Sequence, residues 1–161
     1  MRVIFLDVDG VLNYVYCEAR APCGCLGIED APLAVLRKIV DRTGAKIVLT
    51  STWKMEWSKN PELRSADGEY LDQKIKQAGM EIYDKTQDNI YDRGMGIQTW
   101  LSRHPEVTNW IVLDDNVFND YRCSGIMPHL IQTSFVDGGL KHEMIPRCES
   151  MLLQEENEDG D

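Results

Sequence analysis

A short apolar run that ends in two carboxylates constrains this chain more than any other feature. Val3-Ile4-Phe5-Leu6 leads directly into Asp7-Val8-Asp9-Gly10. Consecutive apolar residues read as a strand buried on both faces, the kind found in parallel sheets. Asp-Gly alone favours a turn. That accounts for Gly10 but not for two acids at the mouth of a buried strand. The arrangement returns at Trp110-Ile111-Val112-Leu113, which runs into Asp114-Asp115. Adjacent like charges repel and cost stability unless a cation sits among them.

Between these runs the hydrophobic period alternates. Asp30 reads as an N-cap with Pro32 in the first turn, Leu33, Leu36, Ile39 and Val40 as one apolar face, and Gly44 as the stop. Residues 46–50 read as a second strand, 53–59 as a short helix and 71–78 as a helix closed by Gly79. Residues 81–83 form a weak strand, 96–104 a helix and 130–133 a fifth strand, and 140–153 contains the last helix. Strands alternating with helices imply an α/β fold: a three-layer Rossmann-like parallel sheet with helices on both faces. Sites in such sheets form at the carboxyl edge, where strand order reverses. With the first and fourth strands adjacent, Asp7, Asp9, Asp114 and Asp115 converge. Four carboxylates call for a hard cation, and magnesium suits them because it takes oxygen ligands and retains room for a substrate phosphate.

The length of 161 residues fits one domain, expected over 1–154. Residues 155–161 carry five acids and no apolar residue, and are expected to be a disordered acidic tail. The formal charge of −10 argues at face value against nucleic acid or an anionic membrane. Half of it belongs to that tail, and four of the remaining acids to the expected metal site, so the objection to a nucleic-acid partner weakens. Five cysteines in no paired spacing, no signal peptide and no apolar run long enough to span a bilayer lead to a cytoplasmic expectation with reduced thiols and no membrane partner. Cys17, Cys23 and Cys25 lack zinc-site spacing and read as loop thiols. His104, His129 and His142 show no ligand spacing and read as structural or surface residues.

Two further parts complete the pattern. The second strand ends in Thr50-Ser51-Thr52-Trp53, whose hydroxyls and backbone amides suit a phosphate oxygen. Asp92-Arg93-Gly94 supplies a cation ahead of a helix. The order is thus acid-x-acid, hydroxyl, cation, acid pair. In this the chain resembles the haloacid-dehalogenase-like (HAD) superfamily of phosphotransferases. Asp7-Val8-Asp9-Gly10-Val11-Leu12 resembles its first motif, Ser51 the second (with Thr50 as the other register) and Asp114-Asp115 the fourth. Arg93 stands where the family usually has Lys, and Lys85 competes for that role. Ser51-Thr52-Trp53-Lys54, Arg93-Gly94 with Ile97, Trp100 and Leu101, and Leu113-Asp114-Asp115 are similar to a narrower branch, the HAD-type domain associated with RNA-repair proteins.

The resemblance implies a phosphatase in which Asp7 is the nucleophile and Asp9 the general acid and base. Magnesium would bind Asp7, the backbone carbonyl of Asp9, Asp114 and Asp115. Ser51 or Thr50, with Arg93, would grip phosphate oxygens. Only about 19 residues follow the first motif before the helix at Asp30, enough for a hairpin flap but not a full cap domain. An open site suits a large phosphorylated substrate, such as a nucleic-acid end or a phosphoprotein. A small-metabolite or nucleotide phosphatase and a catalytically idle binding module remain the alternatives. A receiver-type signalling domain fits poorly, because its adjacent acid pair comes first and its phosphoacceptor lies on the third strand, where only Asp84 stands. Trp53 and Trp57, at helical spacing beside Lys54 and Lys59, either stack a terminal base or pack on the sheet. The oligomeric state is left open.

Overall fold

The computed structural model describes residues 1–87 and 91–155. Five parallel strands form one sheet in the order β3-β2-β1-β4-β5. They are β1 (Arg2–Leu6), β2 (Lys46–Leu49), β3 (Ile82–Lys85), β4 (Asn109–Asp114) and β5 (Leu130–Gln132). The helices are α1 (Asp30–Thr43), α2 (Ala66–Gln77), α3 (Arg93–Ser102) and α4 (Ile145–Leu153). The expected α/β fold with a parallel sheet is present, and no large cap is inserted. The strand order reverses between β1 and β4, which puts the switch point between the two acid-tipped strands.

Side-chain alternation along the strands divides the core in two. Ile4 and Leu6, Ile47 and Leu49, Ile111 and Leu113 face one layer, where Leu36 and Ile39 of α1, Leu71 and Ile75 of α2, and Leu152 of α4 cover them. Val3 and Phe5, Val48 and Val112 face the other layer, closed by Ile97 and Trp100 of α3 and by Tyr121 and Ile126. One face thus carries three helices, and the other carries α3 with irregular chain. Phe5 lies edge-on to both Trp100 and Trp110, at 5.5 and 5.8 Å between centroids.

Several boundaries move from their expected places. Glu29, not Asp30, is the N-cap of α1, and its carboxylate instead accepts from the backbone of Glu18 and Ala19 in the flap. Gly44, at φ +68°, ends that helix as expected. Residues 53–59 hold only a 3-10 turn, Thr52–Met55, because Ser51 caps it tightly and a second short turn at Pro61–Leu63 follows. Helix α2 starts five residues early, at Ala66, since Ser65 Oγ accepts from Gly68 N–H. The third strand runs two residues further, to Lys85. Helix α3 also starts early, at Arg93, which decides where that side chain goes.

The stretch after the first motif is the expected hairpin flap, pinned by an antiparallel bridge between Arg20 and Leu26. Residues 156–161 of the expected tail lie outside the described residues. No described helix is long and apolar enough to cross a membrane.

Candidate active site

Strand register builds the site. Leu6 aligns with Leu49 and with Leu113, and Leu49 aligns with Lys85. The next residues along each strand therefore form one row across the carboxyl edge: Thr86, Thr50, Asp7, Asp114. Backbone bonds carry the register past the strand ends, from Thr50 N–H to Leu6 O at 2.9 Å, Asp7 N–H to Leu113 O at 2.9 Å and Thr86 N–H to Leu49 O at 3.1 Å. All four side chains are buried.

Arg93 reaches this row from the first turn of α3. Its Nη1 lies 3.1 Å from Asp7 Oδ1 and 3.0 Å from Asp114 Oδ2, with all three side chains nearly inaccessible. The guanidinium carbon also lies over the Phe118 ring, 4.0 Å from its centroid. Asp120 fixes the helix start by accepting from Gly94 and Met95 N–H at 3.1 and 2.9 Å. A side chain at Gly94 would strike Asp120 and Ser124, so that approach needs glycine. Tyr121 donates its hydroxyl to Asp114 Oδ2 at 2.7 Å. Burial and the Asp114 charge push the Tyr121 phenol upward, keeping it a neutral donor.

Asp115 joins from the other side of the row. A carboxylate oxygen from each of Asp7, Asp114 and Asp115 lies within 4.8 Å of the others. Gly10, at φ +81°, permits this, since a Cβ there would sit on the Asp115 carboxylate. Burial, then the Asp114 charge, push Asp7 well above the usual carboxylate range, with Arg93 opposing and Asp115 adding to the rise. Burial and Asp114 likewise raise Asp115. Three crowded carboxylates against one guanidinium leave unbalanced negative charge, and an all-oxygen set suits a hard divalent cation.

Among the described residues, three donor groups along this row lack a hydrogen-bond partner. Thr50 Oγ1, Thr86 Oγ1 and Arg93 Nε are buried with no hydrogen bond. Such groups are costly to bury unless something completes them. Ser51 Oγ, by contrast, accepts from Trp53 N–H at 3.3 Å. Thr86 escapes sequence reasoning. It follows a weak strand and belongs to no motif, and only register aligns it with Thr50.

Asp9 stands apart from the three-carboxylate cluster and is exposed. Asn13 Nδ2 donates to its Oδ1 at 2.8 Å, and the Trp53 indole donates to its Oδ2 at 3.2 Å. Lys85 does not enter the cluster. Its ammonium donates to the carbonyls of Lys54 and Trp57, at 2.7 and 2.6 Å. Trp57 is buried and donates to Asp72 at 2.9 Å, which makes it a packing residue. His104 and His129 stack on Trp100 and Trp110. Cys17 is buried and Cys23 and Cys25 exposed, and all five thiols are free.

Among the described residues, Asp7, Asp114 and Asp115 are thus gathered at the switch point, with Arg93 between Asp7 and Asp114, whereas Asp9, expected to converge with them, lies outside the cluster on the exposed side of the strand end. A family model described as the HAD domain in Swiss Army Knife RNA repair proteins matches residues 3–144. No curated protein and no solved structure matches the chain. The buried cluster of Asp7, Asp114 and Asp115 is consistent with the metal site of that fold. The chain belongs to the family of HAD domains found in Swiss Army Knife RNA repair proteins.

Proposed function

We propose that the protein is a magnesium-dependent phosphomonoester hydrolase that works through an aspartyl phosphate on Asp7. The observation that carries this reading is the row Thr86, Thr50, Asp7, Asp114, with Arg93 bridging its two acids and three buried donors unpartnered beside it. That arrangement is a nucleophile flanked by groups that await anionic oxygens.

The Asp7 carboxylate attacks phosphorus in line, forming a P–O bond while the bond to the leaving oxygen breaks. Asp9 gives its proton to that oxygen. A water then loses its proton to Asp9 and attacks the same phosphorus, and the bond to Asp7 breaks to release inorganic phosphate. Thr50, Thr86, Ser51 and Arg93 Nε hold the non-bridging oxygens. Arg93 also keeps Asp7 aligned. Trp53 and Asn13 hold the Asp9 carboxyl at the edge where the leaving group departs. Asp7, Asp114, Asp115 and the backbone carbonyl of Asp9 would hold magnesium, which neutralises the acids and polarises the phosphoryl group.

With only a short flap over the site, a phosphate at the end of a nucleic acid can approach, and the family's tie to RNA repair supports that substrate. The test is phosphate release from an aryl phosphate and from 3′- and 5′-phosphorylated oligonucleotides, with magnesium and with chelator. Metal-dependent release that disappears in Asp7→Asn is expected. Release that survives in Asp7→Asn overturns the assignment of the nucleophile.

A further inference from the structure

A cavity of about 490 Å³ opens beside Asp9, between the flap and the 3-10 turn that follows Ser51. Its volume falls within the range of small-molecule sites, about 300–1,000 Å³. A larger cavity, about 620 Å³, lies at the opposite edge of the sheet near Asn109 and touches none of the site acids. The Asp9 cavity, by contrast, is lined by a carboxylate of the proposed chemistry.

Its lining has a distinct character. Trp53 and the exposed Met55 supply apolar surface. Glu56 and Asp67 add two carboxylates to that of Asp9, and among the described residues no Lys or Arg lines the cavity. Asp67 is fixed, because its Oδ1 accepts from Cys23 N–H at 3.0 Å. The phosphoryl side of the site, by contrast, presents Arg93 and two free hydroxyls. Carboxylates are acceptors only. They reward a group rich in N–H and O–H donors and repel another anion.

We propose that this cavity is the leaving-group subsite, and that it takes one neutral nucleoside and excludes a second phosphate. The inference rests on the phosphatase reading, which places the leaving oxygen at Asp9. The nucleoside's base lies along Trp53 and Met55, and its amino and hydroxyl donors meet Glu56 and Asp67. A chain end is then accepted only with its next phosphate outside the cavity mouth.

Two measurements on the full chain test this. The first compares kcat/KM for a nucleoside 3′-monophosphate and the matching 3′,5′-bisphosphate. At low salt the monophosphate is expected to win by about fivefold or more, from repulsion by two nearby carboxylates. Double substitution Glu56→Gln with Asp67→Asn keeps the acceptor oxygens and removes the charge. It should close most of that gap, as should high salt. Equal rates in the parent protein, or a gap that survives the double substitution, overturn the proposal.

The second measurement does not need turnover. Adenosine, which has no phosphate, should slow iodoacetamide alkylation of Cys23 and Cys25, which line the cavity. Cys123 is exposed and outside the cavity, and serves as the internal reference. Alkylation unchanged by adenosine at all three thiols sinks the subsite. Protection of Cys23 and Cys25 without any phosphate release sinks the phosphatase reading instead and leaves a nucleoside-binding cavity.

Discussion

The two sides of the Asp7–Asp9 strand end are built on opposite principles. On the α3 side, Thr86, Thr50, Asp7 and Asp114 are buried and held by sheet register, and Arg93 is locked between two acids. On the flap side, Asp9, Met55, Glu56 and Cys23 are exposed, and isolated hydrogen bonds, from Asn13 and Trp53 to Asp9 and from Cys23 N–H to Asp67, take the place of sheet register. Dry, fixed surroundings strengthen charge interactions and suit the chemical step. A wet and shallow surface suits a leaving group that must enter and depart. Under the proposed phosphatase reading, the difference assigns the chemical step to the sheet edge and selectivity to the flap.

The strongest way to break this comparison is at its centre. Asp7→Asn should keep the fold, since the amide is of nearly equal size, and abolish turnover by at least about a thousandfold. Phosphate release and a thermal melt, measured together, check both halves. An unfolded variant would mean that the acid serves stability.

Next in size is Arg93. Arg93→Met keeps the length but leaves Asp7 and Asp114 buried without their cation, at a cost of about 3–5 kcal/mol. The melting temperature should fall, and added magnesium should raise it by more in the variant than in the parent. That excess follows because a divalent cation then becomes the sole compensation for three crowded carboxylates. An equal magnesium shift in both proteins would show that Arg93 and the cation do not share the same acids.

The threonines sharpen the contrast further. Thr86→Val removes a buried hydroxyl that has no partner. A purely structural threonine in that position gains or keeps stability on losing it. If the hydroxyl instead meets a phosphate oxygen, activity falls by about 10- to 100-fold while the melt stays level or rises, as expected for a bond to a charged group. Thr50→Val should behave the same way, and a fall in stability without a change in rate would contradict both assignments.

How much of this was legible in the sequence follows from what holds each part. Strands β1 and β4 announce themselves as unbroken apolar runs, because both faces are buried, and their acids come with them. Arg93 was visible as a cation, but its helix start was not. The groups capping α3 belong to Asp120, which lies 26 residues further on, so nothing local marks the boundary. The start of α2 is marked in the sequence by the Ser65 cap with Asp67 and Glu69 in the first turn, whereas its apolar face begins only at Leu71. Thr86 could be found only from strand order, since register between β2 and β3 is a tertiary fact. Lys85 and Arg93 compete on sequence grounds, and the structure separates them: carbonyls of the turn after β2 take the first, and acids the second. The flap side was the least legible, because its cavity arises between two segments with no periodic pattern.

The smallest predicted effect tests the hinge between the two sides. Trp53 belongs to the core by packing, yet its indole N–H reaches Asp9 Oδ2 at 3.2 Å. Trp53→Phe keeps most of the apolar contact and deletes that one donor. A single neutral donor to a carboxylate is worth about 1–2 kcal/mol, so the expected loss in rate is about 5- to 30-fold. The loss should depend on the leaving group. An alkyl phosphate needs a proton on its departing oxygen, whereas an activated aryl phosphate leaves as a stable phenolate with little help. Trp53→Phe should therefore slow alkyl phosphates by the full amount and aryl phosphates hardly at all. A uniform loss on both would mean that Trp53 acts only through packing. The division between a buried side for chemistry and an open side for departure would then have no structural link at Asp9.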